Sequence, residues 1–157
     1  MLDAKGTDNT GITIGSNIFI GRNTIFSCKN GDIELKDNVN IGFNSYIFSA
    51  NKVTVGKYGL IAAYCYLIGG GHDYEDKESP ILEQGRTSYG IELEDNVWFG
   101  AGVKVQDGIR IGANSIIGTS AVVTKDIPPY SIAAGIPARV VKKRGDQTQD
   151  PRPKTQD

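Results

Sequence analysis

Leu93-Glu94-Asp95-Asn96-Val97-Trp98-Phe99-Gly100-Ala101-Gly102-Val103-Lys104-Val105-Gln106-Asp107-Gly108-Ile109-Arg110-Ile111 carries a large apolar residue at 93, 99, 105 and 111, a step of six. Val97 and Val103 stand two residues before the second and third of these. Residues two apart share one face of an extended strand, so each pair points together into a narrow interior. Gly100 and Gly112, just after the apolar residue, suit a turn that needs a permissive backbone.

Read outward in both directions, the same step recurs at Ile14, Ile20, Phe26; Leu35, Ile41, Ile47; Val55, Ile61, Leu67; Leu93, Phe99, Val105; and Ile111, Ile117, Val123. Smaller or aliphatic partners precede many of them, as at Ile18, Thr24, Val39, Ser45, Cys65, Ser115 and Ala121. Three hexads close one coil, so the chain reads as an all-β domain: a triangular prism of five coils of parallel strands about 4.8 Å apart. The intervals 26 to 35, 47 to 55 and 67 to 93 exceed six, and each follows a third hexad. Extra residues therefore gather at one corner. Stepping by six through residues 73–90 meets only Ile81 as an apolar position, so this stretch is a loop protruding from that corner. A loop of this length in a compact domain is usually functional.

The prism is expected over residues 12–144. Residues 1–11 read as a flexible lead-in, 132–141 as a final strand closing the last coil, and 145–157 as a disordered polar tail. The formal net charge of -1 gives no electrostatic case for nucleic acid or an anionic membrane surface. No apolar run approaches the roughly 20 residues of a membrane span, and the start lacks the apolar core of a signal peptide. Cys28 and Cys65 form neither a disulfide framework nor a metal knuckle. A cytoplasmic protein with free thiols is the expectation.

The hexads resemble those of the hexapeptide-repeat acyltransferases, and the likeness spans residues 12–144. Val122-Val123-Thr124-Lys125-Asp126-Ile127-Pro128-Pro129, then Ala133-Ala134-Gly135, then Pro137-Ala138-Arg139-Val140, are similar to the C-terminal signature of that family's sugar and xenobiotic O-acetyltransferases. Asp95-Asn96-Val97-Trp98-Phe99-Gly100 narrows the resemblance to the same branch. The resemblance implies a left-handed winding where generic crossover rules would give a right-handed one. It also implies acetyl-coenzyme A as co-substrate, no metal, and a homotrimer that binds the co-substrate between neighbouring prisms.

His72, the only histidine, follows three glycines at the root of the loop. Imidazole exchanges protons near neutral pH, which suits a general base. The resemblance implies the same role: His72 takes the proton of an acceptor hydroxyl as that oxygen attacks the thioester. Backbone N–H groups of Gly100 and Ala101 are implied as oxyanion donors. For coenzyme A the resemblance carries over to Ala101, Thr119, Thr124, Lys125, Arg139 and Lys142, where the cations suit phosphates. Asn44, Tyr74, Arg86, Tyr89 and the outward Trp98 are candidate acceptor contacts. Among Asp73, Glu75, Asp76 and Glu78, one is a candidate to orient the imidazole. A covalent route through Cys65 is disfavoured because that residue reads as core.

The leading expectation is an acetyl-coenzyme A-dependent O-acetyltransferase acting on a sugar-like hydroxyl. N-acetylation of an amino sugar nucleotide or an antibiotic is the enzymatic rival, and a non-catalytic structural β-helix is the other reading. A γ-type carbonic anhydrase shares the prism, but its zinc site needs three histidines.

Overall fold

A computed structural model describes residues 1–146, so the tail expected from 145 onward lies, from residue 147, outside the described residues. Strand β1 (Leu2–Lys5) precedes five coils. The coils are β2 (Ile12–Ile14), β3 (Phe19–Ile20), β4 (Ile25–Lys29); β5 (Asp32–Leu35), β6 (Asn40–Ile41), β7 (Tyr46–Ser49); and β8 (Lys52–Val55), β9 (Leu60–Ile61), β10 (Tyr66–Gly69). After the loop come β11 (Ile91–Leu93), β12 (Trp98–Phe99), β13 (Lys104–Val105), and then β14 (Ile109–Ile111), β15 (Ile116–Ile117), β16 (Val122–Val123). Finally β17 (Ser131–Ala134) and β18 (Arg139–Lys143) end the fold.

Every third strand stacks on its equivalent, giving three parallel faces. The first face holds β2, β5, β8, β11 and β14; the second holds β3, β6, β9, β12, β15 and β17; the third holds β1, β4, β7, β10, β13 and β16. Ile127 bridges Ile111, so a partial sixth rung sits on the first face before β17 continues the second. The closing segment differs from the single strand expected. Gly135 at φ +100 reverses the chain, and β18 returns antiparallel along β17.

Thirteen of the fifteen hexad positions are at most 1% exposed, and they line one continuous core with Val39, Cys65, Val97, Val103 and Ala121. Ile14 and Ile20 break the rule at 42% and 38% exposure. They belong to the first coil, which has no neighbour below it on the first and second faces. On the third face Phe26 is fully buried, because β1 covers that rung. Of the lead-in expected to be flexible over residues 1–11, Leu2–Lys5 is therefore a paired strand. Leu2 pairs with Phe26, and the Met1 ammonium donates to the Thr24 carbonyl at 2.8 Å. An open strand edge offers unpaired N–H and C=O groups, and the polar segment takes them with its backbone, which side-chain polarity does not reveal.

Corners are built alike. Asn17, Asn38, Tyr58, Asn96, Asn114 and Tyr130 all occupy the left-handed region at the edge between first and second faces, and asparagine tolerates that region best after glycine. Their amides also pair between coils: Asn17 Nδ2 donates to Asn38 Oδ1 at 2.7 Å, and Asn96 Nδ2 to Asn114 Oδ1 at 2.8 Å. At Gly42, a Cβ would fall 2.5 Å from the Ala63 nitrogen, so the coil spacing itself demands glycine there.

The outer side of the first face is ionic. Lys52 pairs with Glu34 at 2.8 Å, and Arg110 pairs with Glu92 and Glu94. Glu94 also accepts the Ala113 N–H at 2.7 Å; this bond first, and Arg110 second, hold its carboxyl below the usual carboxylate range. A lowered folded pKa contributes stability that is present above about pH 4.3 and is lost as pH falls through the folded value. Glu94→Gln is expected to cost about 1 kcal/mol at neutral pH and less in acid. Urea midpoints at the two pH values check this; equal losses at both would remove the ionic account.

Candidate active site

The chain leaves β10 at Gly69, and His72 stands three residues on, exposed, at the edge between third and first faces. The loop then runs out and back as a loose hairpin. The Gly71 N–H donates to the Thr87 carbonyl at 3.3 Å and the Asp73 N–H to the Gly85 carbonyl at 3.0 Å. A single 3-10 turn, Ile81–Glu83, sits at the tip. Gln84 holds the outer part together, donating to the carbonyls of Asp76 and Ser79 at 2.8 and 2.9 Å.

Asp107, which the sequence reading passed over, fastens the returning limb. Its carboxylate accepts the N–H groups of Tyr89 and Gly90, both at 2.8 Å. Ser88 Oγ donates to the Gly69 carbonyl at 3.0 Å, and Asn51 Nδ2 donates to the Ser88 carbonyl at 2.9 Å. The root of the loop is therefore bonded to three coils. Asp107→Ala is expected to lose about 1 to 2 kcal/mol of loop ordering. Hydrogen exchange of the 86–90 amides measures it, and unchanged protection would contradict the clamp.

His72 lies between two hollows. One, of about 290 Å³, is bounded by Lys29, Phe48, Gly70, Arg86 and Ser88. The other, more open, is bounded by Asp73, Tyr74, Glu75, Asp76 and Tyr89. Among the described residues no carboxylate hydrogen-bonds the imidazole; Asp76 instead accepts the Glu78 N–H and, through its carbonyl, Gln84.

Of the expected site residues, Arg86, Tyr74 and Tyr89 border the hollows beside His72, and the others do not gather there. Ala101 and Thr119 stack in successive coils at the edge between second and third faces, with Asn44 at the same edge. Asn44 is a turn residue at φ 55 whose amide oxygen accepts Asn23 Nδ2 at 3.2 Å. Thr124 and Lys125 follow β16, on the edge that His72 shares but beyond the loop. Arg139 and Lys142 lie on β18, and Trp98 projects from the second face at 48% exposure, between Leu60 and Ile116. Tyr66 points outward from the third face, whereas Tyr64 is a left-handed turn residue at φ 61.

Backbone accounting separates the two oxyanion candidates. The Gly100 N–H donates to the Ile117 carbonyl at 2.8 Å and is not available. The next residue at this edge is not committed in the same way. Ala63, Ala101 and Thr119 have no acceptor for their N–H among the described residues, while the residues after Ala63 and Ala101 donate to the coil below. A column of amide donors thus runs up this edge. Burial pushes the Cys65 thiol up, and its Sγ faces the Gly100 carbonyl at 3.4 Å, so it is no ready nucleophile.

The family described as bacterial transferase hexapeptide (six repeats) matches residues 90–125. A galactoside O-acetyltransferase of Escherichia coli K12 is 35% identical over 86% of this chain and 65% of its own length. A probable acetyltransferase of Mycobacterium tuberculosis is 33% identical over 85% of this chain and 44% of its own. The chain thus spans about half to two thirds of the length of these curated relatives. Among solved structures, a galactoside acetyltransferase in complex with coenzyme A superposes with a TM-score of 0.78 at 35% identity, covering 92% of this chain and 70% of that one. A hexapeptide-repeat acetyltransferase of Vibrio cholerae complexed with acetyl-coenzyme A gives 0.74 at 27% identity, over 84% and 70%. The left-handed β-helix that the resemblance implied is the fold shared with these neighbours. With the repeat, the coil geometry and this degree of likeness in agreement, the chain belongs to the hexapeptide-repeat acyltransferase family.

Proposed function

We propose that the protein is an acetyl-coenzyme A-dependent O-acetyltransferase with His72 as general base. The observation that carries the reading is an exposed histidine, unburdened by any carboxylate, at the clamped root of the loop and open to hollows on both sides. His72 takes the proton of an acceptor hydroxyl while that oxygen bonds to the acetyl carbonyl carbon. The negative charge that develops on the carbonyl oxygen is met by the Ala101 N–H, a donor with no other partner. Collapse breaks the carbon–sulfur bond, and the imidazolium returns its proton to the leaving thiolate. Acetyl ester and free coenzyme A result, with no covalent enzyme intermediate.

The amide column at Ala63, Ala101 and Thr119 fits the carbonyls of a pantetheine arm, and Lys125, Arg139 and Lys142 supply charge for its phosphates. The column and His72 stand on different edges of one prism, so the complete site needs two copies. The outward faces support a homotrimer built this way. Leu60, Trp98 and Ile116 stack on the second face, and Tyr46 and Tyr66 on the third, whereas the first face is ionic. Two buried free cysteines suit the cytoplasm. No helix among the described residues is long and apolar enough to cross a membrane.

Release of coenzyme A from acetyl-coenzyme A, followed across sugars, sugar nucleotides and amino-bearing acceptors, tests the proposal; no release with any of them would end it. Amino acceptors belong in the panel because the wall formed by Asp73, Glu75 and Asp76 favours a cation. Gly102, at φ +75, makes Ala101 the first central residue of a type II turn, a place where proline fits. Ala101→Pro deletes one donor without breaking the turn, and is expected to raise KM for acetyl-coenzyme A or lower kcat by about tenfold. Unchanged kinetics would remove Ala101 from the site.

A further inference from the structure

The hollow between Lys29 and Arg86 has a chemical character that the general mechanism leaves unused. Lys29 ends β4, in the first coil; Arg86 comes from the returning limb of the loop; and His72 shares the lining with them. These cations reach the hollow from points 57 residues apart in the chain, positions 29 and 86. Neither has an ion-pair partner among the described residues, although Lys52 and Arg110 on the first face and Lys57 at its edge are paired. Phe48 forms the floor: a Cβ built on Gly70 would lie 3.2 Å from its ring and 3.5 Å from Ser88 Oγ. Around Gly71 there is open space, since a Cβ there would meet nothing within 4 Å.

We infer that this hollow is the acceptor subsite and that it selects a saccharide bearing an anionic group, a carboxylate or a phosphate, held between Lys29 and Arg86 with its ring on Phe48. The inference rests on the acetyltransferase reading for its name as an acceptor site. The physical case is separable from it. Two unpaired cations converging on one small hollow repel each other and lower their mutual energy when an anion enters. Arginine offers a planar fork that matches either oxyanion. An apolar ring face beside them suits the C–H face of a sugar. The companion hollow on the far side of His72 is lined by Asp73, Glu75 and Asp76 and repels the same ligand, which leaves a single orientation for it. The Asp107 clamp fixes the returning limb at Tyr89 and Gly90, three residues from the exposed Arg86.

Because His72 is the only histidine, its imidazole C–H resonances report on the two hollows it borders, and substitutions in one wall or the other tell them apart. The 157-residue chain is titrated with glucuronate, glucose 6-phosphate, glucosamine and neutral methyl glucoside while these signals are followed. The expected result is a saturable shift with an anionic sugar, at an affinity about tenfold or more above that for the glucoside. Lys29→Gln and Arg86→Gln should each weaken it by about tenfold, and Asp76→Asn by less than about twofold. The uronate and the phosphate distinguish the two sources of charge. Equal affinity for the neutral sugar, full affinity in the Lys29→Gln/Arg86→Gln variant, or a response only to a cationic amino sugar would each overturn the inference. Coenzyme A release, measured on the same samples, separates the two readings. An intact imidazole response without turnover on any acceptor sinks the transferase reading alone, and turnover without any selective response sinks the anionic subsite alone.

Discussion

Replacing His72 by alanine is expected to lower acetyl-coenzyme A turnover by about a hundred- to ten-thousand-fold while leaving coenzyme A binding nearly intact. An acceptor hydroxyl is a poor nucleophile until its proton has somewhere to go, and no other imidazole exists in the chain to take it. The retained binding follows from the geometry. The amide donors at Ala101 and Thr119, and the cations of β18, stand on other parts of the prism and are untouched by the change. His72 is exposed and makes no hydrogen bond among the described residues, so the thermal midpoint should hardly move. Kinetics, equilibrium binding of coenzyme A and a melting curve on the same preparation check the three parts together. A loss of turnover matched by a loss of binding would recast His72 as a binding group, and full turnover would remove it from the mechanism.

Phe99→Ala is expected to cost about 3 to 5 kcal/mol, the range for emptying a large aromatic from a close-packed interior. Phe99 is 0% exposed and sits in the middle of the stack, hydrogen-bonded through its strand to the coils on either side. A solenoid interior cannot collapse sideways, because three sheets at fixed strand spacing hold its walls apart, so the cavity should persist. Ile14→Ala supplies the contrast. It occupies the same hexad role in the first coil but is 42% exposed, and should cost about 1 kcal/mol or less. Urea unfolding of the two variants measures the difference; similar losses would show that the interior is not graded along its axis in the way the burial describes.

The same comparison shows where sequence reading succeeds in this fold. A six-residue step puts the inward residue at the same place in every strand, and thirteen of fifteen such positions are buried. The root of the loop was legible for a related reason: an interruption stands out against a strict repeat, and His72 lies at it. What failed was whatever depended on the backbone alone. Leu2-Asp3-Ala4-Lys5 alternates apolar and polar but lies outside the hexad step, and its pairing with β4 follows from the edge which that rung left open. Gly100 and Ala101 look equally suited to donate to an oxyanion. Only the hydrogen-bond geometry shows the first already committed to Ile117 and the second free.

From its sequence alone the protein's architecture was determined: a β-prism of five coils, one interrupted corner, one histidine. Periodicity reports a local geometric constraint repeated many times, and such a constraint needs no knowledge of what lies across the fold. The tertiary structure decided which residues share an edge. Stacking at coil spacing brings Lys29 and Arg86 to one hollow and sends Asn44, Ala101 and Thr119 to another edge. Those neighbours come from different coils, and which corner each side chain leaves is set by the closure of three faces rather than by any spacing along the chain.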